Sequence, residues 1–175
     1  GERQAGAFPI RRYSSAVAAL GGEGGIVLTH GYFYDGNQPG LHAPIGSEGR
    51  GPRWHNDTWV WRGNLTAGKG QWEQLVMPDG EPIPASRFGH SLTAMPGRTG
   101  GDEDGKAGEV HVLVLFGGDD GSHLTSPRNY IGNYFSDTWI LTPQTGGVDG
   151  GQQLGSIGLR WQRLEQVGAP EGRSA

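Results

Sequence analysis

Val110-His111-Val112-Leu113-Val114-Leu115-Phe116-Gly117-Gly118 is followed, after a polar loop, by Asp137-Thr138-Trp139-Ile140-Leu141. The first stretch is a short apolar run that stops at a glycine pair. β-Branched and aromatic residues in a run bounded by glycine predict a strand ending in a turn. The second stretch is a shorter strand, opened by an acid and carrying a tryptophan. Ahead of both stands Arg87-Phe88-Gly89-His90-Ser91-Leu92-Thr93-Ala94, an alternating segment after a proline-rich approach over 78–84. Behind them comes Leu159-Arg160-Trp161-Gln162-Arg163-Leu164. Glycine-rich loops, 97–108 and 146–158, separate the first strand from the second and the third from the fourth.

The same order occurs earlier in the chain. Arg12-Tyr13-Ser14-Ser15-Ala16-Val17-Ala18 corresponds to the segment from Arg87. Gly25-Ile26-Val27-Leu28-Thr29-His30-Gly31-Tyr32 corresponds to the run before the glycine pair, with Tyr32 aligned to the second glycine. Asn56-Asp57-Thr58-Trp59-Val60-Trp61 corresponds to the Asp-Thr-Trp strand, and Gln71-Trp72-Glu73-Gln74-Leu75 to the last. Four strands in one order, twice, mark a repeat protein, in which one repeat cannot bury its apolar face alone.

Composition narrows the class. Glycine and proline, 34 and 11 of 175 residues, together reach about a quarter of the chain, near the range of disordered sequence. The glycines cluster between apolar stretches, however, which fits a folded all-β protein with long loops. A net charge of −4 with only Lys69 and Lys106 as lysines leaves no basic block, so no nucleic-acid partner is expected. No apolar run approaches the roughly 20 residues of a spanning helix, and no membrane insertion is expected. The absence of cysteine excludes thiol chemistry and disulfides within this segment. The compartment stays open, with a cytoplasmic location favoured over an extracellular one.

An arginine-led first strand, an apolar strand ending in Gly-Gly, an Asp-x-Trp strand and a final Trp-x-x-Leu strand resemble the kelch motif. The resemblance covers nearly the whole chain. These units run about 75 to 85 residues against about 50 for a kelch repeat, the excess lying in the loops. The resemblance implies an all-β fold: two four-stranded antiparallel blades of a kelch-type β-propeller, incomplete because about four to eight blades close the ring. Residues 1–9 would be a linker or the tail of a preceding blade, 10–83 the first blade, 84–170 the second and 171–175 the start of a following repeat. The 175 residues are then expected to be an internal slice, with the remaining blades on the same longer chain. Trp59, Trp72, Trp139 and Trp161 are the expected packing between blades.

Arg12, Arg87 and Arg173 recur at one repeat position. In kelch-like propellers that position lies near the channel mouth, where a planar donor fork suits recognition of a carboxylate. The structural alternative is pairing with an acid of the chain, such as Asp57 or Asp137. The long loops between second and third strands carry Tyr34, His42, Arg50, Arg53 and Trp54 in the first unit, and His123, Arg128, Tyr130 and Tyr134 in the second. Arginine and aromatic residues dominate binding hot spots, and long loops on a rigid scaffold carry function. The six histidines lack close ligand spacing, and His90 fits the Arg-x-x-His-Ser pattern of a first strand, so no metal is expected. The acids at 102–104 and 119–120 lack the spacing of a calcium loop. Asn64-Leu65-Thr66 is a sequon in a predicted turn, a glycosylation site if the protein is secreted. No catalytic dyad, nucleophile elbow or phosphate loop occurs, and no cofactor is expected.

These features point to a non-catalytic protein–protein interaction scaffold with a partner of unknown identity. The alternatives are part of a propeller enzyme with its active site outside this segment, and an extracellular carbohydrate-binding propeller.

Overall fold

A computed structural model describes residues 8–21, 25–33, 53–64, 66–98, 109–121, 133–144 and 158–165. Among these residues the chain is all-β, with ten strands and no helix. The first sheet contains β1 (Ala16–Ala19), β2 (Ile26–Thr29), β5 (Thr58–Asn64) and β6 (Lys69–Leu75), in the order β1-β2-β5-β6. The second contains β7 (Ser91–Arg98), β8 (Glu109–Phe116), β9 (Thr138–Gln144) and β10 (Gly158–Arg163), with each strand beside its sequence neighbour. Every pairing is antiparallel. A two-stranded ribbon, β3 (Tyr32–Phe33) with β4 (Arg53–Trp54), leads out of the first sheet.

The ladders show how closely the two sheets correspond. Ile26 pairs with Trp61 and Trp61 with Trp72; Leu113 pairs with Leu141 and Leu141 with Trp161. Thr29 pairs with Thr58, as Phe116 does with Thr138. Side chains alternate between faces along a strand, so these registers fix which residues share a face.

The sheets stack face to face. The second sheet contributes Leu113, Leu115, Trp139, Leu141 and Trp161; the first contributes Val27, Thr29, Thr58 and Val60, and all nine are buried. Trp161 is 2% exposed, and its Nε1 donates to Thr58 Oγ1 at 3.1 Å. Burying a large apolar ring of this kind stabilises by roughly 2–3 kcal/mol. The backbone joins the sheets near β1 and β7: Gly31 N donates to Arg87 O at 2.9 Å and Gly89 N to Ser14 O at 3.1 Å.

Two details of the repeat differ from the sequence expectation. The first strands begin at Ala16 and Ser91, four residues after Arg12 and Arg87. Ser14 and Gly89, with φ of 48° and 63°, break the ladder. Tyr13 and Phe88 turn instead to bridges with Tyr32 and Asp119. The glycine pair also shifts by one residue. His30 and Gly31, with φ of 54° and 97°, match Gly117 and Gly118 at 70° and 101°, so Tyr32 corresponds to Asp119. Histidine is among the non-glycine residues that tolerate the left-handed region, which lets His30 stand where the second unit has glycine.

β7 runs through Pro96 to Arg98, further than expected. It lies at a sheet edge, where a missing N–H costs no ladder bond. No helix among the described residues is long and apolar enough to cross a membrane.

Candidate functional site

Arg12 and Arg87 anchor the same end of both sheets. Arg12 Nη1 and Nη2 donate to the two carboxylate oxygens of Asp57 at 2.5 and 2.9 Å, and Nη1 also donates to His30 O at 3.0 Å. Arg87 repeats this with Asp137 at 2.6 and 3.0 Å and with Gly117 O at 2.9 Å. Each acid also accepts from the tryptophan two residues on, Trp59 at 2.6 Å and Trp139 at 2.7 Å. The Arg87 guanidinium lies 4.0 Å from the centre of the Phe135 ring, a cation–π contact.

Burial alone would raise the Asp57 and Asp137 carboxyls. The hydrogen bonds from arginine and tryptophan, with the arginine charge, hold both below the usual carboxylate range. The forks of Arg12 and Arg87 are therefore filled by the chain's own acids and carbonyls, with Arg87 0% exposed. Neither offers a free fork to a partner's carboxylate. Their effect is to fix the turn after the second strand against the start of the third.

That turn carries the loop stems. In the first unit His55 N donates to Gly31 O, and Tyr32 pairs with Trp54. In the second, Phe135 N donates to Gly118 O, Asp119 bridges Tyr134, and Asp120 N donates to Asn133 O. Both long loops thus leave the same end on clamped stems. Beside them Tyr13, Tyr32 and Phe88 form an aromatic ladder, with ring centres 5.6 and 4.8 Å apart. Tyr13 is 55% and Tyr134 39% exposed.

Of the sequence candidates, Tyr134 stands on a stem, and Arg53 lies in β4 opposite Phe33. Tyr34, Arg50, His123, Arg128, Tyr130 and Arg173 lie outside the described residues. Asn64 is exposed at the end of β5. Its Oδ1 accepts from Thr66 Oγ1 at 2.6 Å and Ala67 N at 2.9 Å.

Sequence reasoning missed a histidine pair in the seam. His30 and His90 meet edge to face, ring centres 5.2 Å apart, and His30 also approaches Trp161. His30 bonds to Thr29 Oγ1 and to Pro84 O. Neither nitrogen of His90 has a hydrogen-bond partner among the described residues. Burial lowers His30 to about 4, with the Pro84 bond opposing it. Burial first, then His30 and Arg87, lowers His90 to about 3. The available signal was His30 itself, a bulky residue at a glycine position. Among the described residues no three histidine or acidic side chains are grouped to hold a metal.

Comparison with protein-family models, curated proteins and solved structures gives no match.

Proposed function

We propose that the chain is a non-catalytic protein-interaction scaffold built on a kelch-type β-propeller, its two sheets successive blades. The observation that carries this is the repeated end: two Arg–Asp–Trp clusters holding two loop stems side by side, with Tyr13 and Tyr134 exposed at the two ends of the row of contacts that joins them. A rigid base under long loops is the usual arrangement of a binding surface, and exposed tyrosines give contact area at low entropy cost. The loops at 34–52 and 122–132, with Tyr34, Arg50, His123, Arg128 and Tyr130, would supply most of the contacts.

Replacing each loop by a short glycine–serine linker tests the reading. Cross-linking and affinity capture with the unaltered chain should identify a partner that both loop-replaced chains lose, with the fold intact by near-UV circular dichroism. Undiminished capture by both loop-replaced chains would rule out this surface.

A further inference from the structure

The seam joins unlike faces of like sheets. One half is the Leu113, Leu115, Trp139, Leu141 and Trp161 face of the second sheet. The ladders place Ile26, Leu28, Trp59, Trp61 and Trp72 of the first sheet at the corresponding positions. That face points away from the seam, and no sheet of the described residues lies on it. Leu113, Leu115 and Leu141 are 0% exposed, whereas Ile26, Leu28, Trp61 and Trp72 are only half-buried and Trp59 alone, its indole turned to Asp57, is 6% exposed. None of the ladder positions on this face, from Val17 to Gln74, carries a charge. Apolar patches of this kind mark interaction sites.

The other half of the seam recurs too. Val114, Phe116, Thr138 and Ile140 stand where Val27, Thr29, Thr58 and Val60 stand, and point outward from the second sheet. The one charge at the described ladder positions of that face, Arg160, is paired with Glu81 at 2.5 Å. The chain therefore carries both halves of a second seam, at opposite ends of the stack.

We propose that a second copy of this chain covers the Trp61–Trp72 face with the Val114–Ile140 face of its own second sheet, repeating the internal seam between molecules. The proposal rests on the stacked-blade reading above. The contact is head-to-tail, so it propagates until a ring closes. Sheets arranged radially close at about four to eight, which corresponds to about two to four copies.

Light scattering coupled to size exclusion tests this on the chain itself. The expected mass is a fixed small multiple of one chain, unchanged on dilution. Trp72→Glu and Val114→Glu each remove one half of the contact and should each give a folded monomer. Mixed in equal amounts they should give a one-to-one dimer, because each keeps the half the other lacks. A folded, monomeric unaltered chain at micromolar concentration would overturn the proposal. Two variants that associate as the unaltered chain does would overturn it as well. If a variant fails to fold, the mass of the unaltered chain still decides. Solvent protection of the Trp161 indole, measured on the same sample, separates the two failures. A monomer with Trp161 protected loses only the association; an unprotected Trp161 removes the stacked reading too.

Discussion

Trp161 and Thr58, 103 residues apart in the chain, are joined by a 3.1 Å hydrogen bond across the seam. Both side chains are almost wholly buried. The bond satisfies the one polar atom of an indole that otherwise lies against apolar residues and His30. A buried donor left unmade costs more than the net worth of the bond itself, so this contact selects how one sheet sits on the other.

Trp161→Ala should lower unfolding free energy by about 3–5 kcal/mol, the usual cost of emptying a buried aromatic site. Trp161→Phe keeps most of the packing and should cost less. Urea denaturation of the three proteins checks the order. Equal midpoints would mean that Trp161 is not at a packed interface.

Arg87→Ala leaves the Asp137 carboxylate without its fork in a mostly buried position, an effect of about 3–5 kcal/mol for a broken buried pair. Arg12→Ala should act in the same direction through Asp57. Replacing Arg87 and Asp137 together by apolar residues should recover part of the loss, because no charge is then stranded. Thermal unfolding of the single and double variants tests this. An additive double variant would contradict direct pairing.

Acid should weaken the fold before the carboxylates titrate. His30 and His90 sit at about 4 and about 3, below their ordinary 6.5. The unfolded chain therefore binds their protons more readily than the folded one. Their contribution is fully present above pH 6.5 and is lost as pH falls from 6.5 toward 3. Asp57 and Asp137, held below 3.8, add a second loss only below that value. His90→Phe removes two nitrogens that have no partner among the described residues, so it should be neutral or stabilising at neutral pH and should flatten the slope between pH 6.5 and 4. Chemical denaturation across that range checks it, and an unchanged slope would contradict a buried His90.

The fold was legible where residue identity alone sets structure. Asp57-Thr58-Trp59 and Asp137-Thr138-Trp139 align without gaps, and they gave the third strand of both units. The glycine pair is disguised in the first unit because His30 fills a glycine position, and only its positive φ reveals the equivalence. The first strands start four residues after the motif opens, because Arg12 and Arg87 serve the turn, through acids 45 and 50 residues away. The His30–His90 contact was hidden for a related reason. It joins different repeats, and periodicity within one repeat carries no record of what the next sheet brings against it.

Gly31→Ala should destabilise by more than about 1 kcal/mol. Its φ is 97°, and a β-carbon there would stand 2.7 Å from Tyr13 O. Gly80→Ala also imposes a positive φ, but nothing lies within 4 Å of its β-carbon. Thermal melts of both variants should show the larger loss at Gly31. The reverse order would mean that Gly31 is not packed against the Tyr13 segment.

The second sheet lies with its tryptophan face on the threonine–valine face of the first. Nuclear Overhauser spectroscopy of the isotope-labelled chain reads this packing. Cross-peaks are expected from the Trp161 indole N–H to Thr58 side-chain protons, and between the His30 and His90 rings. A Trp161 indole proton that exchanges freely with water and shows no contact to β5 would contradict it.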